Sequence, residues 1–572
     1  MPQGSSLKSS LAGENLSQMN ARAVPEMAPS YPATARPVGN FFIVASALLL
    51  LKLLLVSQRE MATEEYDSFE YARVSLEDLG SILSGVADHA PGASLVMALS
   101  RTVGIPYRIF MEVFLATAAF LFLRPLVVWM RLGMAAFAVL YALLLFHPSL
   151  IIEMDRAMAD PVGFLLWLAG AGGIIEFVAG PRARISWWSL GLAIASFGFA
   201  GITRSAEGPI VLVEMVSVAL LSIVLFRGLE SWRRRRAVLA CLCAIAANIA
   251  VTQTLSAWHS AKAGYWGVTA VESREWLQLY DALLSLPVTR TDRYILVNSA
   301  TLGMAESFSD EFRKIMICVQ REEAHYSTDG IGNDAAAWII TDCLPEGESA
   351  KQFAEMHTIS ADILNGARDR HVPLLAPVLG IIPRPVTQWL PDLPSSIVQV
   401  ALDAARMPPS TRISQDFYRE ELFNRALLRR TALAAAGQNP EIIGYGTFIR
   451  PLYSVLATLF WPSILLVFVT AIATLPRSSG ASRTSRLPAF FLSLVIIDIL
   501  CRIAFYSLVE WVLWDIPARY VLGPSVLTAF ATASLLTVWL APAAATAVRP
   551  RIPRPPSLWS WAENNEYLDR RP

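Results

Sequence analysis

Carboxylates and guanidiniums recur in this chain at short intervals beside long apolar runs. One segment reads Glu64-Glu65-Tyr66-Asp67-Ser68-Phe69-Glu70-Tyr71-Ala72, and a second carries Glu153, Asp155, Arg156 and Asp160-Pro161. A third reads Arg204-Ser205-Ala206-Glu207-Gly208-Pro209, and a fourth holds Asp515 and Pro517-Ala518-Arg519-Tyr520. Acids gathered from several helices can hold a cation, act as bases or mark solvated helix ends. Guanidiniums among them suit an anionic group, because the planar fork meets phosphate oxygens in pairs.

The elements that must position these groups are membrane helices. The chain has 572 residues, 54% hydrophobic and 16% charged, with 16 tryptophans and a mean hydropathy of +0.45. A soluble protein carries about 25% charged residues. Apolar runs of spanning length fall at 41–56, 107–130, 133–149, 161–179, 186–203, 209–226, 237–257, 451–475, 489–511 and 518–541, about ten in all. The expected fold is therefore an all-α polytopic membrane protein. Residues 1–39 form a polar tail, 40–257 a module of seven spans, 258–450 a large soluble insertion, 451–541 three further spans and 542–572 a second tail. Equal numbers of basic and acidic side chains, 47 of each, leave no basic surface for nucleic acid.

Lys and Arg are retained on the cytoplasmic side of short loops. Arg124 and Arg131, then Arg182 and Arg184, then Arg227 with Arg233 to Arg236, then Arg477, Arg483 and Arg486 occupy alternate connections, and the tail adds Arg549, Arg551 and Arg554. Both termini are thus expected in the cytoplasm, with 58–106, 150–160, 204–208, 258–450 and 512–518 facing outward. The acids and arginines singled out above all lie on that outward side.

In this arrangement the chain resembles the polyprenyl-phosphate-dependent glycosyltransferases of the GT-C fold, in particular the lipid A aminoarabinose transferases and their protein O-mannosyltransferase relatives. The resemblance rests on Asp67 with Tyr71-Ala72 after the first span, on Asp160-Pro161 opening a span, on the Arg204 to Pro209 turn, and on Arg519-Tyr520 opening a late span. It covers 41–257, extends more loosely over 451–541 and hardly touches 258–450. Ser68 departs from the pattern, standing where the family often has a second acid; Glu64, Glu65 or Glu70 would have to compensate, or one carboxylate suffices.

The resemblance implies a GT-C-like bundle with a large periplasmic domain in the bacterial cytoplasmic membrane. The activity implied is an inverting transfer of a sugar from a polyprenyl-phosphate carrier to an envelope acceptor. Such transfer needs a base for the acceptor proton and positive charge for the departing phosphate. Asp67 is the candidate base and Asp160 an orienting group. A hard divalent cation, Mg²⁺ or Mn²⁺, would suit Asp67 and Asp160 as oxygen ligands. Arg204 and Arg519 are the candidate phosphate ligands, with Tyr71, His89, Asp155, Arg156 and Glu207 in support. The plainer alternatives are that Asp67 caps a helix starting near Ser68, and that Asp160 caps one with Pro161 in its first turn.

Charges also lie inside the apolar runs. Asp498 and Arg502 sit four apart and can pair on one helix, whereas Glu112, Glu176 and Glu214 have no partner by sequence and would suit a proton-coupled carrier. A non-catalytic envelope scaffold is the other alternative. In 258–450, His325, His357 and His371 show no metal spacing, and Cys318 and Cys343 are the only cysteines; an oxidising periplasm would join them.

Overall fold

A computed structural model describes residues 38–56, 66–84, 89–130, 133–180, 186–204, 206–226, 231–290, 292, 294–326, 330–331, 336–344, 349–367, 391–405, 450–459, 462, 486–512 and 522–547. In the first half these form α1 (Val38–Val56), α2 (Tyr66–Ser75), α3 (Leu79–Ser84), α4 (Gly92–Val103), α5 (Tyr107–Met130), α6 (Met134–Leu145), α7 (Pro148–Glu153), α8 (Ala159–Ala179), α9 (Trp187–Ala200), α10 (Glu207–Leu225) and α11 (Ser231–Ala263). The polar stretch that follows holds α12 (Arg274–Ser285), β1 (Val297–Asn298), α13 (Ser299–Phe308), α14 (Asp310–Tyr326), β2 (Gly330–Ile331), α15 (Ala336–Asp342), α16 (Ser349–Gly366) and α17 (Leu393–Ala405). The chain then continues through α18 (Arg450–Thr458), α19 (Arg486–Val512) and α20 (Leu522–Ala547).

Among the described residues six helices are long and apolar enough to cross a membrane: α1, α5, α8, α10, α11 and α19. The expected spans 133–149 and 186–203 appear as shorter apolar helices, α6 with 12 residues and α9 with 14. His147 precedes Pro148, and a residue before proline is pushed away from helical dihedrals, which ends α6 early. Of the segment expected at 451–475, only the start, α18, is described.

α8 is the centre of the bundle. Its apolar residues surround the helix, and nearly all of its residues are buried, as expected of a helix walled by others on every side. Gly172 lets α5 come close: a Cβ there would sit 2.6 Å from the Leu121 carbonyl oxygen. A single apolar cluster runs from Phe41 on α1 through Phe122, Trp167, Phe197 and Met215 to Phe491 and Phe530.

A second cluster lies in 258–450, called the outer segment after the side expected for it, and joins Tyr265, Trp276, Leu283, Phe312, Val319, Ile340, Phe353 and Ile359. Its helices are amphipathic and self-capped: Ser273 accepts from the Trp276 amide at the start of α12, and Asn298 from the Thr301 amide at the start of α13. Cys318 and Cys343 are joined as expected, with Cα atoms 5.6 Å apart. The expected all-α class has one small exception, an antiparallel ladder pairing Val297 with Ile331 and Asn298 with Gly330.

Two helices are continuous between the clusters. At 33 residues, α11 measures about 50 Å, well beyond the roughly 30 Å hydrocarbon core. Ala237 and Ala244 on it belong to the bundle, and Ala263 to the outer cluster. On α19, Phe490 to Tyr506 pack in the bundle and Trp511 in the outer cluster. α17 falls within 258–450, yet its Val400 packs in the bundle cluster.

Candidate functional site

Three segments distant in sequence, each expected on the outward side, are tied together at the mouth of α8. The first carries α2. This helix begins at Tyr66, so Asp67 lies inside its first turn and does not cap a helix starting near Ser68. The Asp67 carboxyl, together with Glu64, Glu65, Asp515 and Arg519, falls outside what is described. Next to Asp67, Ser68 is buried, and its hydroxyl donates to Met158 Sδ at 3.2 Å. Met158 stands two residues before Asp160, so the first and second segments touch beside both candidate acids.

The first segment also docks on the third. His89-Ala90-Pro91-Gly92 closes on the turn before Arg204, where the Gly92 amide donates to the Ile202 carbonyl at 2.7 Å. A Cβ at Gly92 would lie 2.7 Å from both that oxygen and Thr203 Cα, so only glycine permits this approach. His89 packs its ring on Tyr71, with centroids 4.9 Å apart. Tyr71 in turn is buried and accepts a hydrogen bond at its carbonyl from Ser94.

Asp160 is not the cap of α8. Met158 occupies that position, and Asp160 and Pro161 both fall in the first turn. Its carboxylate pairs with the Arg204 guanidinium. The Arg204 side chain is 18% exposed and that of Asp160 9%, and Tyr506 lies beneath the guanidinium, 6.0 Å from ring centroid to Cζ. Three residues on, Glu207 opens α10 and accepts two bonds from Arg502, from Nη1 at 2.7 Å and Nη2 at 2.9 Å. Arg502 also reaches Asp498 at 2.9 Å. The pairing of Asp498 with Arg502 was legible in the sequence; the fork onto Glu207, which fastens α19 to α10 beneath Arg204, was not.

Asp155 and Arg156 have other partners. Asp155 meets Arg108 at 3.2 Å, Arg108 meets Glu112 at 2.8 Å, and Glu112 meets Lys52 at 2.7 Å, a buried ion network joining α1, α5 and the turn after α7. These contacts are ionic in distance but bent away from hydrogen-bond angles for Lys52, Arg108 and Glu112. Arg156 stands 3.5 Å from Glu153. Burial pushes the Glu153 carboxyl up to about 7; Arg156 pulls it down, and the nearby Asp160 and Asp155 add to the rise. Glu70 is taken up by Arg73 on the exposed side of α2.

The acids expected to be unpaired inside spans have partners. Glu112 has two cations, Glu176 has Arg124 at 2.9 Å, and Glu214 accepts from the Trp167 indole N–H at 2.8 Å. Arg108 lies four residues before Glu112 on α5, a spacing the sequence did offer; Lys52, Arg124 and Trp167 lie on other helices than the acids they meet, and spacing along one helix does not report them. A lone Lys52 inside an apolar run was the available signal, since an intramembrane ammonium requires a counter-charge.

Among the described residues no three His, Cys, Asp or Glu side chains gather as a metal-holding group. One carboxylate oxygen of Asp160, a candidate cation ligand, is met by the Arg204 guanidinium, and the carboxyl of Asp67, the other candidate, lies outside what is described.

No family model matches the chain, and no curated protein matches it. Two solved structures are similar. The crystal structure of ArnT from Cupriavidus metallidurans in the apo state is 13% identical over 87% of this chain and 77% of that one, with a TM-score of 0.30. That of ArnT from the same organism bound to undecaprenyl phosphate is 13% identical over 90% and 82%, with a TM-score of 0.29. Overlap that loose carries no weight for fold or chemistry.

Proposed function

We propose that this chain is a membrane glycosyltransferase of the GT-C type, moving a sugar from a polyprenyl-phosphate carrier to an envelope acceptor on the outer face of a bacterial cytoplasmic membrane. The supporting observation is the convergence of three separate outward segments, through Ser68 with Met158, Gly92 with Ile202, and Asp160 with Arg204. A helix-capping role for the acids predicts no such convergence.

In this reading Asp67 takes the proton of the acceptor hydroxyl as its oxygen bonds to the anomeric carbon. The bond from that carbon to the phosphate oxygen breaks, and its electron pair leaves with the carrier phosphate. A single displacement of this kind inverts the anomeric centre. Arg204 donates N–H groups to the departing phosphate, and Asp160 holds the guanidinium in place across the mouth of α8. Fixed donors of this kind stabilise charge that develops only as the bond breaks. Glu207 with Arg502 anchors the turn on which Arg204 stands. Arg519 is a second phosphate ligand, and Glu153 completes the acid cluster. Both termini face the cytoplasm, and 258–450 contributes to acceptor binding or covers the site.

Mass spectrometry of envelope lipids and glycans, with and without the gene, tests the reading. Loss of one glycosylated species, with its unglycosylated acceptor accumulating, is expected. Identical profiles, together with solute flux in liposomes holding the purified chain, would instead favour a carrier.

A further inference from the structure

His259 stands near the outward end of α11 with its ring 1% exposed. Both ring nitrogens meet backbone carbonyls. Nδ1 lies 2.7 Å from the Gly267 oxygen, in the turn leading to the outer segment, and Nε2 lies 2.8 Å from the Leu83 oxygen near the end of α3. Carbonyl oxygens only accept. A neutral imidazole has one N–H and one lone pair, so it satisfies one contact and sets lone pair against lone pair at the other. Only the imidazolium donates to both. The Leu83 carbonyl belongs to the last turn of α3, whose oxygens have no partner within the helix.

We propose that His259 is a positioning residue whose imidazolium ties the first outward segment to the neck of the outer segment, and whose deprotonation releases one of the two carbonyls. That the tied segment carries the base rests on the transferase reading; the tie itself does not. α3 joins α2, which bears Asp67, to the turn that docks Gly92 beside Arg204. Releasing Leu83 therefore loosens the segment between two of the three contacts that build the site.

The surroundings leave the two carbonyls in control. Leu83 and Leu255 belong to a small apolar cluster with Ala90, Ile202 and Val268, and Tyr265 sets its ring 5.0 Å from the imidazole. α3 bears no titratable side chain. Asp78, just before it, bonds to Ser81, Lys262 on the next turn of α11 lies over Trp258, and His89 faces Tyr71. Burial is the larger influence and holds the ring below the usual imidazole range, with the Gly267 and Leu83 carbonyls opposing it, so the tie closes on the acid side of that range. Since both bonds need the proton, the tie closes below the titration point of the ring and opens above it.

The test uses the full chain in nanodiscs with ¹⁵N-histidine. Six histidines give a small set of signals, and His259→Gln assigns the one that disappears. Spin labels at exposed Leu79 and Trp266 report the separation across the tie. From about pH 4 to about pH 8, the expected result is two protonated nitrogens at the low end, loss of one proton as pH rises, and a longer separation over the same range. His259→Gln is expected to abolish the pH dependence of that separation. A neutral His259 at every pH overturns the proposal, as does a titration that leaves the separation unchanged. Neither readout requires transfer activity, so a failed transferase reading and a failed tie give different results.

Discussion

Arg204 and Asp160, 44 residues apart, form an ion pair across the mouth of α8. The pair joins the turn before α10 to the first turn of α8, and it converts two loop motifs into one unit. Asp160→Asn removes the charge that faces a largely buried guanidinium, which is expected to cost on the order of 2–3 kcal/mol. The double variant with Arg204→Gln should cost less than the sum of the two single changes, with a coupling of about 1–2 kcal/mol. Thermal unfolding of the four solubilised proteins measures this, and strict additivity would show that the two side chains act independently.

Asp67→Asn keeps the size of the side chain and removes the basic oxygen. In the transferase reading turnover falls by roughly 10²- to 10⁴-fold while donor binding survives. Arg204→Gln should act in the opposite sense, weakening donor binding or phosphate departure. Single-turnover transfer and donor affinity, measured separately, distinguish the two roles. Near-normal transfer by Asp67→Asn would pass the role of base to Glu64, Glu65 or Glu70.

Glu153 gives a pH dependence with a defined sign. Its carboxyl is raised from 4.5 to about 7, so the folded state prefers the protonated form. The associated stability is present below about 4.5 and is lost as pH rises through about 7, a total on the order of 3 kcal/mol. Glu153→Gln should flatten the stability profile between pH 5 and 8.5, and the variant should be the more stable protein at the alkaline end. Parallel profiles for the two proteins would mean that Glu153 is ionised throughout.

The Cys318–Cys343 bond closes a loop of 25 residues between α14 and the turn after α15. Loop closure of that length is worth roughly 3 kcal/mol through the unfolded state. Cys318→Ser should lower the stability of the outer segment by about that amount. Buried Cys241 and half-buried Cys243 and Cys501 should react slowly with thiol reagents in the native protein. Non-reducing mass mapping that finds Cys318 and Cys343 both free would remove the first expectation.

The apolar runs were legible because a membrane helix needs about 20 apolar residues and nothing else in a chain has that signature. The disulfide was legible because Cys318 and Cys343 are the only cysteines in 258–450, a segment expected from the basic residues to face an oxidising compartment. Cap positions were misread at Asp160 and for the capping alternative at Asp67. In each case the helix starts one or two residues earlier than the residue that looks like a cap, and nothing local marks that difference. Arg108 stands four residues before Glu112, a spacing open to the reading made for Asp498 with Arg502, and was passed over, whereas the partners of Glu207 and Glu214, and Lys52 beside Glu112, were invisible for another reason. Spacing along one helix reports pairs such as Asp498 with Arg502, whereas Lys52, Arg502 and Trp167 reach those glutamates from other helices, and only packing around α8 sets that proximity.

The two continuous helices, α11 and α19, have a mechanical consequence. In the proposed orientation each is rooted in lipid at one end and in the outer apolar cluster at the other, so the height of the outer segment above the headgroups follows from helix length and tilt. In a thicker bilayer the helices stand more upright, and in a thinner one they lean, because mismatch is relieved by tilting. Arg502 rides on α19, and His259 on α11. Acyl-chain length thus becomes a variable acting on the same side chains that hold Glu207 and Leu83, which gives the lipid a say in the alignment of the outer loops.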